Sequence, residues 1–263
     1  MISAAALRIR AAQLAVLGGV LLLWEYVPTM LSKSNVVALN PIFISTPDKI
    51  AADLYQITFV SGLIFPALWS TLSASLVGLI LGVLWGYALA LAFSELKSLD
   101  SVLMVYVNAM NAVPRITIYP LIVIIFGFGF GSKVIGAFLV SFFLVFYNAY
   151  QGSKSVPSEM IESYSFLGAG RWHLVRYIRA YVALGWAIAL LPSAVAFALI
   201  SVITTEILIS SGGLGALIII ATAYLDTSRV FSIIFVSMIT SVVLVGIARY
   251  AINKVFPWIV AIR

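Results

Sequence analysis

The chain has 263 residues, of which 63% are hydrophobic and 9% charged, with a formal net charge of +6 and no cysteine. A soluble domain carries roughly 25% charged residues, so this composition excludes one and requires an integral membrane protein, while the missing cysteines exclude disulfides, thiol catalysis and cysteine metal sites. The positive charge does not point to nucleic acid, because lysine and arginine gather at the ends of apolar runs, as the positive-inside rule produces, and not along one face.

A crossing needs roughly 20 apolar residues, and six runs meet that length. Arg8 and Arg10 precede the first, at 11–27, which has no small-residue cleavage site at its end and is expected to stay as an uncleaved span starting inside, with Trp24 and Tyr26 at the outer interface. Residues 28–65 are too polar for lipid. Within them Thr46-Pro47-Asp48 predicts a helix start, with Thr46 as N-cap, Pro47 first in the helix and Asp48 in the first turn. Ile50, Ala51, Leu54 and Ile57 recur at helical spacing, so this helix is expected to lie along the outer surface. The second span, 66–93, carries Gly78, Gly82 and Gly86 on one stripe, where another helix can approach closely.

Glu95, Lys97 and Asp100 mark a short return inside. The third span, 101–128, holds Pro114 and Pro120, which predict a bend or break. Asn108, Asn111 and Arg115 fall on one face; polar residues in lipid usually look toward a bundle interior or a water-filled path. They are read as lining a translocation route, or else as interhelical contacts, with Arg115 meeting headgroups near a span end. Gly127, Gly129, Gly131 and Lys133 suggest an outer turn before the fourth span, 134–150. The fifth, 181–208, is bent by Pro192 and has Ser193, Ser201, Thr204 and Glu206 as its polar positions. Glu206 is either a surface carboxylate at the membrane edge or part of an outer gate, and Arg115 is one conceivable partner for it. An outer segment comes next, and the sixth span is 230–252. Arg8, Arg10, Lys97, Lys154, Arg171, Arg176, Arg179, Arg249, Lys254 and Arg263 then lie inside, against Lys33, Lys49, Lys133 and Arg229 outside, which places both termini in the cytoplasm.

Between the fourth and fifth spans runs the polar interval VPSEMIESYSFLGAGRWHLVRYIR, residues 156–179. Pro157 and Ser158 open it, with Ser158 expected as N-cap and Glu159 and Glu162 in or just after the first turn. Gly168 and Gly170 are expected to stop the helix with positive φ, and a second short helix is predicted over 172–178. Met160, Ile161, Tyr164 and Leu167 form an apolar ridge at helical spacing. Such a knuckle suits the grip of a partner.

The spacing of Glu162, Gly168 and Ile178 resembles the EAA loop of the membrane subunits of bacterial ABC importers, although Ser163 and Tyr164 replace two alanines and Ala180 and Tyr181 stand where Leu-Pro is usual. Two further stretches, ISTPDKIAADLYQITFVSG and TTEILISSGGLGALIIIATAYLDTSRVF, resemble the nitrate, taurine and sulfonate importers. The second matches at Glu206, Gly213, Leu214, Gly215, Asp226, Arg229, Val230 and Phe231. The resemblance covers about residues 40–250. It implies an all-α permease of the type I ABC importer kind, organised as an N-terminal span (1–30), an extracytoplasmic segment (31–65) and a core (66–263) with its coupling loop at 153–180. Implied partners are a second copy of the chain, two cytoplasmic ATPase subunits carrying the ATP and magnesium, and an extracytoplasmic solute-binding protein, all at the bacterial inner membrane. Ser158, Glu159, Met160, Ile161, Glu162, Tyr164, Leu167, Gly168 and Arg171 are the implied coupling residues. Asn108, Asn111, Arg115, Ser201, Thr204 and Glu206 are the pathway or gate candidates. The solute would be sulfonate-, taurine- or nitrate-like, or a related small organic molecule. No Walker phosphate loop, H-E-x-x-H or G-x-S-x-G motif occurs, and His173 is the only histidine. This chain is therefore expected to bind no cofactor or metal and to be no enzyme; a non-transporting scaffold or sensor, or an embedded enzyme, are the competing classes.

Overall fold

The computed structural model describes residues 4–31, 41–96, 100–209 and 212–257, which are helical with short connections. Expectations for Lys33, Lys97, Arg263 and the side chain of Arg115 fall outside the described residues. Among the described residues, five helices are long and apolar enough to cross a membrane: Arg8–Val27, Ile64–Glu95, Phe130–Lys154, Leu191–Ile209 and Thr227–Val255. The pair Val102–Ala112 and Ile116–Phe126, bent by 96°, makes a sixth crossing when read as one span. The break falls at 113–114, where Pro114 cannot donate to the preceding turn. Pro120, by contrast, stays inside a helix.

Contacts group the chain into two compact units, Met1–Phe65 with Leu217–Ser237, and Pro66–Ala216 with Met238–Arg263. In the first unit, α1 (Ala4–Leu31), α2 (Pro41–Ile44) and α3 (Pro47–Tyr55) join the first turns of a helix at Thr227–Val255. Thr46 precedes α3 as predicted, with Pro47 first and Asp48 in the first turn, but the Thr46 hydroxyl bonds the Asp48 carboxylate and not a backbone N–H. That bond, with the Lys49 N–H, holds the exposed Asp48 carboxyl below its usual value. The buried face of α3 and its continuing wide turn carries Ile50, Asp53 and Ile57, while Ala51 is exposed; the expected stripe is corrected by one position. The reason is charge: Asp53 is drawn in by Arg229, whose Nη2 donates to Asp53 Oδ1 at 3.0 Å, and Arg229 also lies 3.7 Å from Asp226. Ser232 Oγ donates to the Ile50 carbonyl at 3.2 Å. Trp24 packs edge-on against Phe231 with ring centroids 5.5 Å apart, so it serves packing within this unit.

In the second unit the helices are α4 (Ile64–Glu95), α5 (Asp100–Ala112), α6 (Arg115–Phe126), α7 (Phe130–Lys154), α8 (Ser158–Phe166), α9 (Arg171–Leu174), α10 (Ala180–Ala189), α11 (Leu191–Ile209) and the start of α12 (Leu214–Ala223), with α13 (Thr227–Val255) divided between the units. The centre is α7, the most buried of the candidate spans. Lipid supplies no hydrophobic drive between helices, so close backbone approach does the packing, and small residues permit it. The glycine stripe of α4 meets α7: a Cβ at Gly78 would stand 2.5 Å from Ala137 Cβ, and one at Gly82 2.6 Å from Ser141 Cβ. One core cluster joins Ala74, Ala137, Ala194 and Ala198 from α4, α7 and α11. A second joins Ala90, Phe146, Ala149, Ala183 and Ala187 from α4, α7 and α10. The fifth crossing is not one bent helix but two, parted at Leu190, two residues before Pro192.

Candidate functional site

The knuckle is built from α8, α9 and the short turn between them. No residue of α8 is buried. Pro157, not Ser158, is its N-cap; Ser158 is the first helical residue, because the proline already sets the entry angle and the Ser158 side chain makes no capping bond. Glu159 lies in the first turn as expected. Ser163 and Ser165 turn their hydroxyls back to the carbonyls of Glu159 and Ile161.

The helix ends in a double clasp. The Ala169 N–H donates to the Tyr164 carbonyl and the Gly168 N–H to the Ser165 carbonyl, both at 3.0 Å, which is the Schellman arrangement. Gly168 has φ +86°, and a Cβ there would touch nothing within 4 Å, so backbone conformation and not space demands glycine. Gly170 does not share this role. Its φ is −69°, and it caps α9, from which the chain runs through a wide turn, Val175–Arg179, into α10. The separate helix expected at 172–178 is therefore the beginning of the fifth crossing.

Three exposed apolar side chains form the ridge, Met160, Tyr164 and Leu167, with Ile161 half-buried; the 84% exposed Leu167 shows how little of its own chain covers it. Phe166 and Trp172 are exposed beside them, and helical spacing gave no sign of either. Arg171 has a second duty. Its Nε donates to Glu95 Oε2 at 3.3 Å, Arg179 bonds the other oxygen of the same carboxylate, and Tyr87 donates to the Ala180 carbonyl at 2.8 Å. Glu95 thus staples the end of α4 to the root of the fifth crossing. Sequence shows it only as a carboxylate near a return; the excess of arginine after Gly170 is the available signal. His173 lies against Tyr177, ring centroids 5.1 Å apart, and among the described residues no cluster of histidine and carboxylates could hold a metal.

The pathway candidates separate into two places. Asn108 accepts a hydrogen bond from Tyr147 at 2.7 Å, and Asn111 lines a cavity of about 180 Å³ with residues of α7 and α11. Ser201 faces Tyr119, oxygens 2.7 Å apart, and Thr204 bonds back to the Ile200 carbonyl. Glu206 is fully buried, which removes the surface-carboxylate reading. Its described cation is Lys133, at 2.9 Å; the pairing with Arg115 lies outside the described residues. Lys133 is correspondingly no outer-turn cation: it sits in the first turn of α7 and is buried, donating also to Ser70 Oγ at 2.9 Å and to the Gly212 carbonyl at 2.8 Å. Thr71 and the Gly215 N–H complete the carboxylate shell at about 3.0 Å. Gly213 has φ +93°, and a Cβ on it would fall 1.8 Å from Glu206 Oε1, so the Gly-Gly-Leu-Gly turn is glycine-rich because it folds onto this carboxylate.

Residues 78–257 match the family described as binding-protein-dependent transport system inner membrane component. A riboflavin transport system permease protein from Chloroflexus aurantiacus is 32% identical over 73% of this chain and 71% of its own length. A taurine transport system permease protein from Escherichia coli is 27% identical over 84% and 82%, and a formylaminopyrimidine transport permease protein from Halalkalibacterium halodurans 25% identical over 90% and 92%.

Proposed function

Because the chain belongs to the binding-protein-dependent transport system inner membrane components, we propose that α8 is the handle by which a partner ATPase drives this ABC importer permease. The protein is a membrane-embedded transport subunit for a small solute and not itself an enzyme. The family implies ATPase and binding-protein partners. In the proposed assembly two copies of the chain pair, both termini and α8 face the cytoplasm, and the ATP and magnesium stay on the ATPase. The extracytoplasmic binding protein delivers the solute to the other face.

One observation carries this: a nine-residue helix with no buried residue is stopped by a Schellman clasp and joined through Glu95, Arg171 and Arg179 to the ends of two crossings. The apolar ridge, exposed at Met160, Tyr164 and Leu167 and half-buried at Ile161, is little covered by its own chain, and a groove on a partner would bury it. Ser158 and Glu159 begin that lever, Glu162 lies on it, and Gly168 ends it. Pulling it moves the root of the fifth crossing, since no flexible link intervenes after Gly170.

Asn108 and Asn111 are assigned to the solute path. Ser201 and Glu206 are assigned to holding helices in place, because their polar atoms bond side chains of neighbouring helices, and Thr204, whose hydroxyl bonds the Ile200 carbonyl of its own helix, stays a pathway candidate on its position. Arg115 stays a pathway candidate on its position beside the bend. The test is coupling. Glu162→Lys and Gly168→Asp should insert and assemble normally yet hydrolyse ATP without accumulating solute; normal uptake by both variants overturns the assignment.

A further inference from the structure

A groove of about 820 Å³ opens between the last turns of α4 and the segment that runs from α9 into α10. Resting on the permease reading above, which puts this end of both helices at the cytoplasmic surface, we infer that the groove holds one anionic phospholipid, with its phosphate on Arg176 and Arg171 and an acyl chain along α4.

The depth of the groove belongs to the bilayer. Tyr87, Leu91, Ala92 and Glu95 are spaced to share one face of α4, and at 1.5 Å per residue Tyr87 lies about 12 Å inside the end of the span. A cytoplasmic protein cannot follow the groove that far, whereas a lipid chain already lies at that level. Val175 and Ala180 form the opposite wall. Tyr87 Oη donates to the Ala180 carbonyl at 2.8 Å, which ties the two walls together and leaves an apolar floor. Trp172, 70% exposed, stands at the mouth, where an aromatic ring suits the head-group layer.

Charge at the mouth decides the head group. Three guanidinium groups, Arg171, Arg176 and Arg179, stand against one carboxylate, Glu95, which Arg171 and Arg179 share. Arg176 lines the groove and, among the described residues, pairs with no carboxylate; its guanidinium carbon lies 5.6 Å from the centre of the Tyr177 ring, a contact that steadies the group and leaves its charge uncompensated. Arg171 gives Nε and Nη2 to Glu95 and keeps Nη1. Phosphate oxygens suit such donors. A zwitterionic head group would bring its own ammonium into this positive field, and a free phosphate would leave the apolar floor unused. Surface charge and apolar depth together select a lipid of net negative charge.

Native mass spectrometry of the permease bound to its ATPase subunits, titrated in detergent with dioleoylphosphatidylglycerol or dioleoylphosphatidylcholine, tests this. Phosphatidylglycerol should bind roughly 10-fold or more tightly than phosphatidylcholine, and excess glycerol phosphate should not displace it. Arg176→Gln should weaken phosphatidylglycerol binding about 5-fold, the share of one arginine near an anionic surface. Ala92→Trp fills the groove from an exposed position and should weaken both lipids, while Arg249→Gln, at an exposed arginine outside the groove, should change neither. Equal affinity for the two lipids, displacement by glycerol phosphate, binding left unchanged by Arg176→Gln or by Ala92→Trp, an equal loss in Arg249→Gln, or no bound lipid while the ATPase is in place would each overturn the inference. ATP hydrolysis and binding-protein-dependent uptake by the same complex are read in parallel. If those are intact while the lipid result fails, the lipid site falls and the permease reading stands; if the ATPase does not assemble on the chain, the permease reading falls whichever lipid binds.

Discussion

Replacing Lys133 with methionine isolates the buried ion pair. The ammonium and the Glu206 carboxylate are 2.9 Å apart with side-chain exposures of 2% and 0%, so neither is screened by water. Methionine keeps the length and volume of the lysine and deletes three donations, to Glu206, Ser70 and Gly212. The variant keeps a carboxylate held by Thr71 and the Gly215 N–H with no described cation beside it. Breaking a buried pair from one side costs about 3–5 kcal/mol, because the stranded charge stays desolvated. At about 2–4 °C per kcal/mol for a chain of this size, the midpoint of thermal unfolding should fall by roughly 6–20 °C. The double variant Lys133→Met, Glu206→Gln removes the stranded charge and should recover at least half of that loss. Thermal unfolding in detergent, followed by the loss of the monodisperse peak on size exclusion, measures both. Equal midpoints for the single and double variants, or no loss in the single one, would refute the idea that the charges hold each other.

Gly82→Ala places a methyl group 2.6 Å from Ser141 Cβ and 2.9 Å from the Phe138 carbonyl, and the overpacking should cost about 1–3 kcal/mol in the same unfolding assay. Gly168→Ala should cost about 1–2 kcal/mol for left-handed backbone, whereas Gly170→Ala, with φ −69° and open space around it, should leave the midpoint unchanged. Glu95→Gln keeps the shape of the staple but removes its charge from Arg171 and Arg179. It should lower solute accumulated per ATP hydrolysed, read as the ratio of uptake to phosphate release in proteoliposomes, with hydrolysis itself retained.

Most of the architecture is legible in the sequence because its causes are local. An apolar run either spans the hydrocarbon or it does not, and the six runs reappear as helices within a few residues of their expected ends, the third as two pieces meeting at Pro114 and the fifth as two parted at Leu190. Glycines every fourth residue in α4 announce a close approach that the short Cβ distances to α7 bear out. The stop at Gly168 is readable because glycine at a helix end is a backbone requirement within five residues. Even the misplacement of the N-cap at Ser158 comes from a local competition, which Pro157 wins by its fixed φ.

Residues alone could not decide pairing at a distance. Lys133 reads as a loop cation because its neighbours are glycines, and Glu206 reads equally as surface or gate; they lie 73 residues apart and meet only because α4, α7 and α11 pack at one register. Glu95 likewise finds Arg171 and Arg179 across 76 and 84 residues. Spacing along a chain specifies which side chains share a helix face, but which face meets which is settled by how small residues let backbones approach, and that is a property of the assembled bundle.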